Sequence, residues 1–571
     1  MKLLLAVVSV LTILPAAAHA APTSAPVCDV RSFGAKGDGV SLDTAAVDQA
    51  IAACVRQGGG TVYFSPGRYV IGTVQLFSHI RIELESGAAL VGSHYIEDYR
   101  ASPPFGFARH YGLDITGEGT LLGMLIAKDA QDISIEGRGE IDGQGDTFME
   151  PIPHDGHDYE VSYARNPEKF HQAMMSPEYG PVEPGQRPGT MIVFFHCSNV
   201  RLNGVTLRSA PNWTLHLQDV DVAAISDLQI LNNPRIPNND GIDCMQCRHV
   251  RITNCDIQTG DDGLAIGFSE HVNVNNCSIS SRSAAIRLES TSRSTFTGLT
   301  MDTNRGIAVF ATNYESPENR PTEDVTFSDI VIRTRLIPGH WWGKAEPIYI
   351  AVQPCVPNTP CAVQVKNVVF NNITAEAESG ALLWGAEGSP ITGVTLRGVR
   401  LHMLAPKPDI GEAVGGNLDL RWTALTPKDG IMSSDIPAIY AKHVDGLTLR
   451  DVQIDWPHSV PEYFSNAVKV ESFSDLTIDA FAGRQAQTDS GAALSLESGS
   501  GVSITNSRAS LGTQTFLQLQ DVTNRRVFVN YDLGAATNRI VPATLRFDTQ
   551  VSAPVVKRKP LAPTNHEQAP R

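Results

Sequence analysis

The chain has 571 residues and a net charge of −16, enough for two or three compact domains or one long solenoid. Its pI near 5.4 argues against nucleic acid and anionic membranes as partners, and suits a densely anionic polymer only if a local basic patch overrides the global field. Nine cysteines are too few for a disulfide scaffold and cannot all pair.

Residues 1–20 read as a signal peptide: Lys2, an apolar run from Leu3 to Leu14, then Ala18-His19-Ala20 as a cleavage site. The absence of a Cys after that site argues against a lipid anchor, and no later stretch reaches the roughly 18 apolar residues of a membrane span. The protein is expected to be secreted or periplasmic, with no membrane partner.

Val30 to Gly39 precedes a helical stretch, Asp43 to Cys54, with apolar residues at helix spacing; Gly58-Gly59-Gly60-Thr61-Val62-Tyr63-Phe64 then opens β-structure. A helix placed there would cap the open end of a solenoid, which otherwise exposes core and unpaired strand edges. Short alternating strands follow, such as Ile80–Leu84, Val200–Leu202, Val250–Ile252, Val325–Phe327 and Val502–Ile504, with Asn and Asp at the turns. A period of 22 runs through the middle: Val250 returns as Val272, Ile252 as Val274, Asn254 as Asn276, Cys255 as Cys277 and Ile257 as Ile279. A β-sandwich predicts hairpin turns instead of a fixed period. The expected fold is therefore all-β, a right-handed parallel β-helix with an N-terminal capping helix, forming one domain over 28–550.

Two insertions interrupt it. Residues 146–188 are rich in Pro, His, Tyr and Met with no strand pattern, and 336–360 form a second irregular stretch. Residues 557–571 read as a disordered basic tail. Cys355 and Cys361 can close a short loop, while Cys255 above Cys277 is either bonded or a thiol ladder. Cys244 and Cys247 have metal-ligand spacing but no second pair, so neither a metal nor another cofactor is expected.

Chemistry concentrates in Asn238-Asn239-Asp240-Gly241-Ile242-Asp243 and Thr259-Gly260-Asp261-Asp262-Gly263-Leu264, 22 residues apart. One period per coil stacks Asp240 and Asp262 on neighbouring rungs, roughly 4.8 Å apart, with Asp261 beside them. Crowded carboxylates keep at least one proton near neutral pH. Inverting hydrolysis of a glycosidic bond needs one protonated acid and one base that activates water. Asp240 and Asp262 fit the base, leaving Asp261 as the acid. A lone turn Asp such as Asp221 or Asp256 more simply caps backbone N–H groups, and Asp243 is assigned a structural role.

In these motifs the chain resembles glycoside hydrolase family 28, the polygalacturonase-like enzymes. The resemblance covers residues 28–510 and includes Phe33 to Gly39, Gly137 to Gly145, Ser209-Ala210-Pro211-Asn212-Trp213 and both Asp stretches. It implies Asp261 as general acid and Asp240 with Asp262 as the water-activating pair. The chain departs from the family where Gly-His-Gly is expected, reading Arg282-Ser283-Ala284. Where Arg-x-Lys is expected, Asn304 to Phe310 supply Arg305 alone. These departures point to another glycosidic bond of pectin or a related glycan instead of endo-polygalacturonase action.

Substrate contacts are expected from Asn238, Arg287, Arg282, Trp213 and Lys344. Alternation in Ala285-Ile286-Arg287-Leu288-Glu289 turns Arg287 outward, toward the cleft or an ion pair with Glu289 or another nearby carboxylate. Trp213 would stack on a sugar ring or lie buried, and Trp341, Trp342 and Lys344 would reach over the groove. His196 and His216 lie in strand-like stretches and read as satisfied core histidines. The expected partner is a polysaccharide or oligosaccharide, and the chain is expected to be monomeric. Two alternatives are a polysaccharide lyase on the same solenoid and a non-catalytic glycan-binding solenoid.

Overall fold

The computed structural model describes residues 25–101, 121–153, 166–174, 180, 182–311, 320–339, 341–354, 364–421, 430–489, 491–529, 532 and 534–542. The expected signal peptide, the basic tail and the Cys355–Cys361 loop lie outside these residues.

Among them, forty strands join in one sheet whose named ladders are all parallel. The chain winds as a right-handed β-helix, the hand that parallel crossovers adopt. The period of 22 is one coil: Arg251–Thr253 pairs with Asn273–Asn275, and Leu264–Gly267 with Ile286–Glu289. Alternation sets what lies inside, since Val250 and Ile252 are fully buried while Arg251 between them is exposed. Like residues then stack along the axis, as where Phe327 lies 4.9 Å from Phe296 and 5.0 Å from Phe370, ring centroid to centroid.

Corners are turned by residues in the left-handed region. Asn254 and Asn276 sit at φ 55° and 54°, where Asn is tolerated and β-branched residues are strained. Asn276 Nδ2 donates to Asn254 Oδ1 at 2.7 Å, so the ladder expected at these turns also satisfies amide groups that face water.

The capping helix is Thr44–Arg56, burying Val47, Ala50, Ile51 and Cys54 against the first rungs. Asp43 before it accepts from the backbone N–H of Lys36 (2.8 Å) and Gly37 (2.9 Å). A Cys28–Cys54 disulfide ties the helix to the first strand, a pairing the spacing alone did not suggest. Cys255 and Cys277 are free, buried thiols; the Cys255 N–H donates to the Cys277 sulfur at 3.4 Å, which decides for the ladder. Cys244 and Cys247 are also free and fully buried in the core, and among the described residues no third metal ligand joins them.

The described parts of the first insertion form regular elements where its composition gave no strand pattern. Met149–Pro153 and Val182–Pro184 form an antiparallel pair, and Pro167–Met174 is a helix. That helix meets a second one, Pro408–Val414, through the Lys169–Glu412 ion pair. Around Ala173, a small separate core of Leu336, Ala345, Ile410, Ala413 and Val414 draws both insertions together. No described helix is long and apolar enough to cross a membrane.

Candidate active site

The two Asp stretches lie at one corner of the coil, at the start of neighbouring strands Ile242–Met245 and Leu264–Gly267. Ile242 pairs with Leu264 and Asp243 with Ala265. The Gly241 N–H donates to the Asp262 carbonyl at 2.9 Å, so Asp240 stands one rung from Asp262 as the period requires. Gly241 and Gly263 keep the corner tight: a Cβ on Gly241 would come 2.4 Å from the Gly263 carbonyl, so Ala there would push the rungs apart.

Side chains that do no chemistry fix the corner from below. Buried Asn239 accepts from the Gly260 N–H (2.6 Å) and donates to the Asn233 carbonyl (2.8 Å). Buried Asn232 accepts from the Ala210 N–H (3.0 Å) and donates to the Asn239 carbonyl (3.1 Å). From the first insertion, Arg187 donates to the carbonyls of Pro211 and Pro237, both at 2.8 Å, and reaches Asn238 Oδ1 at 3.5 Å. Asn238, half-buried and at φ 55°, is thereby tied to Arg187 beside the aspartates. Arg187, Asn232 and Asn239 were not among the site residues expected from the sequence.

One carboxylate oxygen from each of Asp240, Asp261 and Asp262 lies within 4.8 Å of the others. Asp240 and Asp262 are 6% exposed and Asp261 is half-buried. Burial, then the charge of Asp262, pushes the Asp261 carboxyl up to about 7. Burial first, then Asp261, Asp243 and Asp262, raise Asp240 well above the ordinary carboxylate range, and Asp240 Oδ1 has no hydrogen-bond partner.

Burial also raises Asp262, but the Arg287 guanidinium, the Ala284 N–H and the Ser283 hydroxyl oppose it. Those two hydrogen bonds to Asp262 Oδ1 measure 3.1 Å and 3.0 Å. Asp262 therefore carries negative charge most readily, and Asp240 and Asp261 retain a proton more readily. The signal for Ser283 and Ala284 was in the repeat: they follow Asp261 and Asp262 by 22 residues. The same three oxygens are also close enough to surround a divalent cation, whose ligands sit about 2.0–2.6 Å from the ion.

Asp243 belongs to the same electrostatic unit. It is 1% exposed and lifted well above the usual range by burial and then by Asp262. Arg287 is the outward residue that alternation predicts, two steps along the Asp243–Ala265–Arg287 ladder. Its side chain is 16% exposed and lies 3.8 Å from Asp262 Oδ2 and 3.9 Å from Glu289 Oε2. The small Ala265 between leaves room for the guanidinium beside both carboxylates.

Three expectations are corrected. Trp213 is buried, edge-on to His216 at 5.2 Å, so it supports the floor and offers no open face to a sugar. Lys344 is 2% exposed and contributes to holding down the Asp419 carboxyl, so it is not a free clamp. Trp341 is buried, with Arg282 at 5.9 Å from its ring, and Trp342 lies under Arg421 at 4.3 Å. The aromatic pair packs into the wall instead of projecting over the groove.

That wall is a buried charge cluster. Arg305, one step from Ala284 and two from Asp262, pairs with Asp419 at 2.7 Å and Glu346 at 3.1 Å. Arg421 meets both Asp419 oxygens at 2.8 Å and donates to the Trp341 carbonyl at 3.1 Å. Burial alone would raise Asp419, but Arg421 and Arg305 hold its carboxyl far below the usual range. Segments 341–346 and 417–421 are thus pinned to the sheet face two to three rungs beyond Asp262.

Comparison with known proteins bears on this arrangement. The chain matches the family described as Glycosyl hydrolases family 28 over residues 116–415, and Rhamnogalacturonase A/epimerase, pectate lyase-like, over 27–137. It is 26% identical over 241 residues to a probable polygalacturonase of Vitis vinifera, covering 41% of this chain and 43% of that protein. It spans less than half the length of the first two plant relatives it matches. A family 28 exopolygalacturonase of Yersinia enterocolitica superposes with TM-score 0.53 at 17% identity, covering 80% of this chain and 78% of that one. An exopolygalacturonase of Thermotoga maritima gives 0.50 at 19%, covering 66% and 87%. These two likenesses bear on the fold.

Proposed function

Because the chain belongs to glycosyl hydrolases family 28, we propose that it is a secreted glycoside hydrolase acting on pectin or a related polysaccharide. Asp261 is the general acid. Its proton, held near neutral pH, passes to the leaving glycosidic oxygen. Asp262, with Asp240 beside it, takes a proton from the attacking water; the new bond joins that oxygen to the anomeric carbon as the old bond breaks. The observation that carries this reading is the gathering of three carboxyls within 4.8 Å, with Asp262 accepting from the Ala284 N–H and the Ser283 hydroxyl and facing Arg287. Inversion is the first reading for stereochemistry.

Stereochemistry is a finer test of this reading. Most inverting sites hold their carboxyls roughly 6.5–9.5 Å apart, whereas retaining sites hold them about 5–5.5 Å apart. Proton NMR of the first-formed anomer separates the two outcomes.

Attack from a chain end is the mode we infer, on the ground that segments 341–346 and 417–421 are pinned to the sheet face beyond Asp262. Homogalacturonan, rhamnogalacturonan and neutral side-chain oligosaccharides are the substrates to test, reading reducing ends and ultraviolet absorbance together. New reducing ends without absorbance, lost in Asp261→Asn, support the proposal. Absorbance from an unsaturated product means a lyase instead, and no change in any glycan leaves a binding protein.

A further inference from the structure

Beyond the wall, the same face of the solenoid opens into a cavity of about 870 Å³, within the roughly 300–1,000 Å³ of small-molecule sites. Its place follows from the register. The row that begins Asp240–Asp262–Ala284–Arg305 continues through Glu346, Ser379 and Pro437 to Asn466. Six rungs separate Asp262 from Asn466, about 29 Å at the usual spacing. Lys469 and Tyr440 fall on the row of Asp243 and Arg287. The corner and strand that present the aspartates therefore recur here with different side chains, separated from the aspartates by segments 341–346 and 417–421.

The lining is polar. Asp435, Glu462 and Asp489 stand at the exposed margin. Asn466, 8% exposed, has its amide oriented by a 2.6 Å hydrogen bond from Nδ2 to the Ala492 carbonyl. Among the described residues, Lys469 is the one cation of the lining, and it is held 2.6 Å from Glu471 Oε1 and 4.0 Å from Glu497. Tyr440 donates to the same Glu471 oxygen at 3.1 Å.

Three carboxylates against one neutralised ammonium repel a uronate. The three also do not converge on an ion: among the described residues, only Asp240, Asp261 and Asp262 bring three such ligand atoms within 4.8 Å. Dispersed carboxylates and amides suit a ligand with many separate O–H donors.

We propose that this cavity is a second binding site, independent of the aspartates, for a neutral saccharide such as an uncharged side chain of the polysaccharide. It holds a glycan strand that is not being cleaved and keeps the enzyme on an insoluble substrate. The choice of a saccharide rests on the proposed function, but binding needs no turnover.

The test is calorimetric titration of full-length Asp261→Asn protein with neutral galacto- and arabino-oligosaccharides, beside galacturonate oligomers of equal length. Neutral oligosaccharides are expected to bind, at least tenfold more weakly when Asp435→Ala and Asp489→Ala are added. Both positions are exposed, so the fold is expected to tolerate the changes. In the otherwise wild-type enzyme the same pair should leave kcat on short soluble substrates unchanged while lowering retention on insoluble polysaccharide. Absence of neutral-sugar binding, or binding insensitive to the pair, overturns the site. Inactivity of the wild type with intact neutral-sugar binding would count against the proposed catalysis alone.

Discussion

The Arg287 Nε lies 3.8 Å from Asp262 Oδ2 while its Nη2 lies 3.9 Å from Glu289 Oε2. One guanidinium thus serves two buried carboxyls, and Arg287 is the largest influence opposing burial at Asp262. Replacing it by Gln removes that opposition, so Asp262 takes a proton at higher pH. The acidic limb of the kcat/KM profile should move upward with KM little changed, and Arg287→Lys should recover part of the shift. A raised KM with an unmoved limb would instead make Arg287 a substrate clamp.

Asp261→Asn keeps the size of the side chain but cannot donate the proton. Loss of a general acid typically costs about 10²–10⁴-fold in rate. That loss should appear in kcat, with circular dichroism and KM near wild type, and should shrink for substrates with good leaving groups.

The same cluster predicts the sign of stability against pH. Asp261, at about 7, binds a proton more tightly folded than unfolded, where an Asp titrates near 3.9. Its raised folded value means stability is greatest below the unfolded value and falls as pH rises toward the folded one. The melting temperature should therefore drop from about pH 4 to 7, beyond what distant groups contribute. Asp261→Asn should flatten this slope and melt higher than wild type at neutral pH. An unchanged slope would mean that the proton is not held there.

Asp419→Ala would leave Arg305 and Arg421 buried without their shared carboxylate. Breaking a buried pair from one side costs roughly 3–5 kcal/mol, which denaturant titration would measure. Asp419 and Arg305 are fully and almost fully buried, so a cost under about 1 kcal/mol would mean water reaches the cluster.

Chain-end attack has its own signature. On a soluble polymer, reducing ends should accumulate while viscosity falls little, and the earliest products should be of one short length. A rapid viscosity drop at few cleavages would mean that the groove stays open past Arg305.

Much of this protein was legible from its sequence because a solenoid turns tertiary contacts into a period. Twenty-two residues per coil placed Val250 over Val272, Asp240 beside Asp262 and Asn254 under Asn276, since each rung touches only its neighbours. Alternation within a strand likewise separated Ile286 from Arg287. The same period also held Ser283 and Ala284, whose uncharged side chains give no signal of their own. What the sequence could not decide lies where the period breaks. Trp341, Lys344 and Arg305 carry residue types suited to gripping a sugar, yet folding buries them around Asp419, 75 or more residues later in the chain. Arg187 reaches Asn238 from an insertion with no repeat of its own. A charge is buried only when its partners arrive from elsewhere to replace water, and pairings of that kind depend on packing in three dimensions.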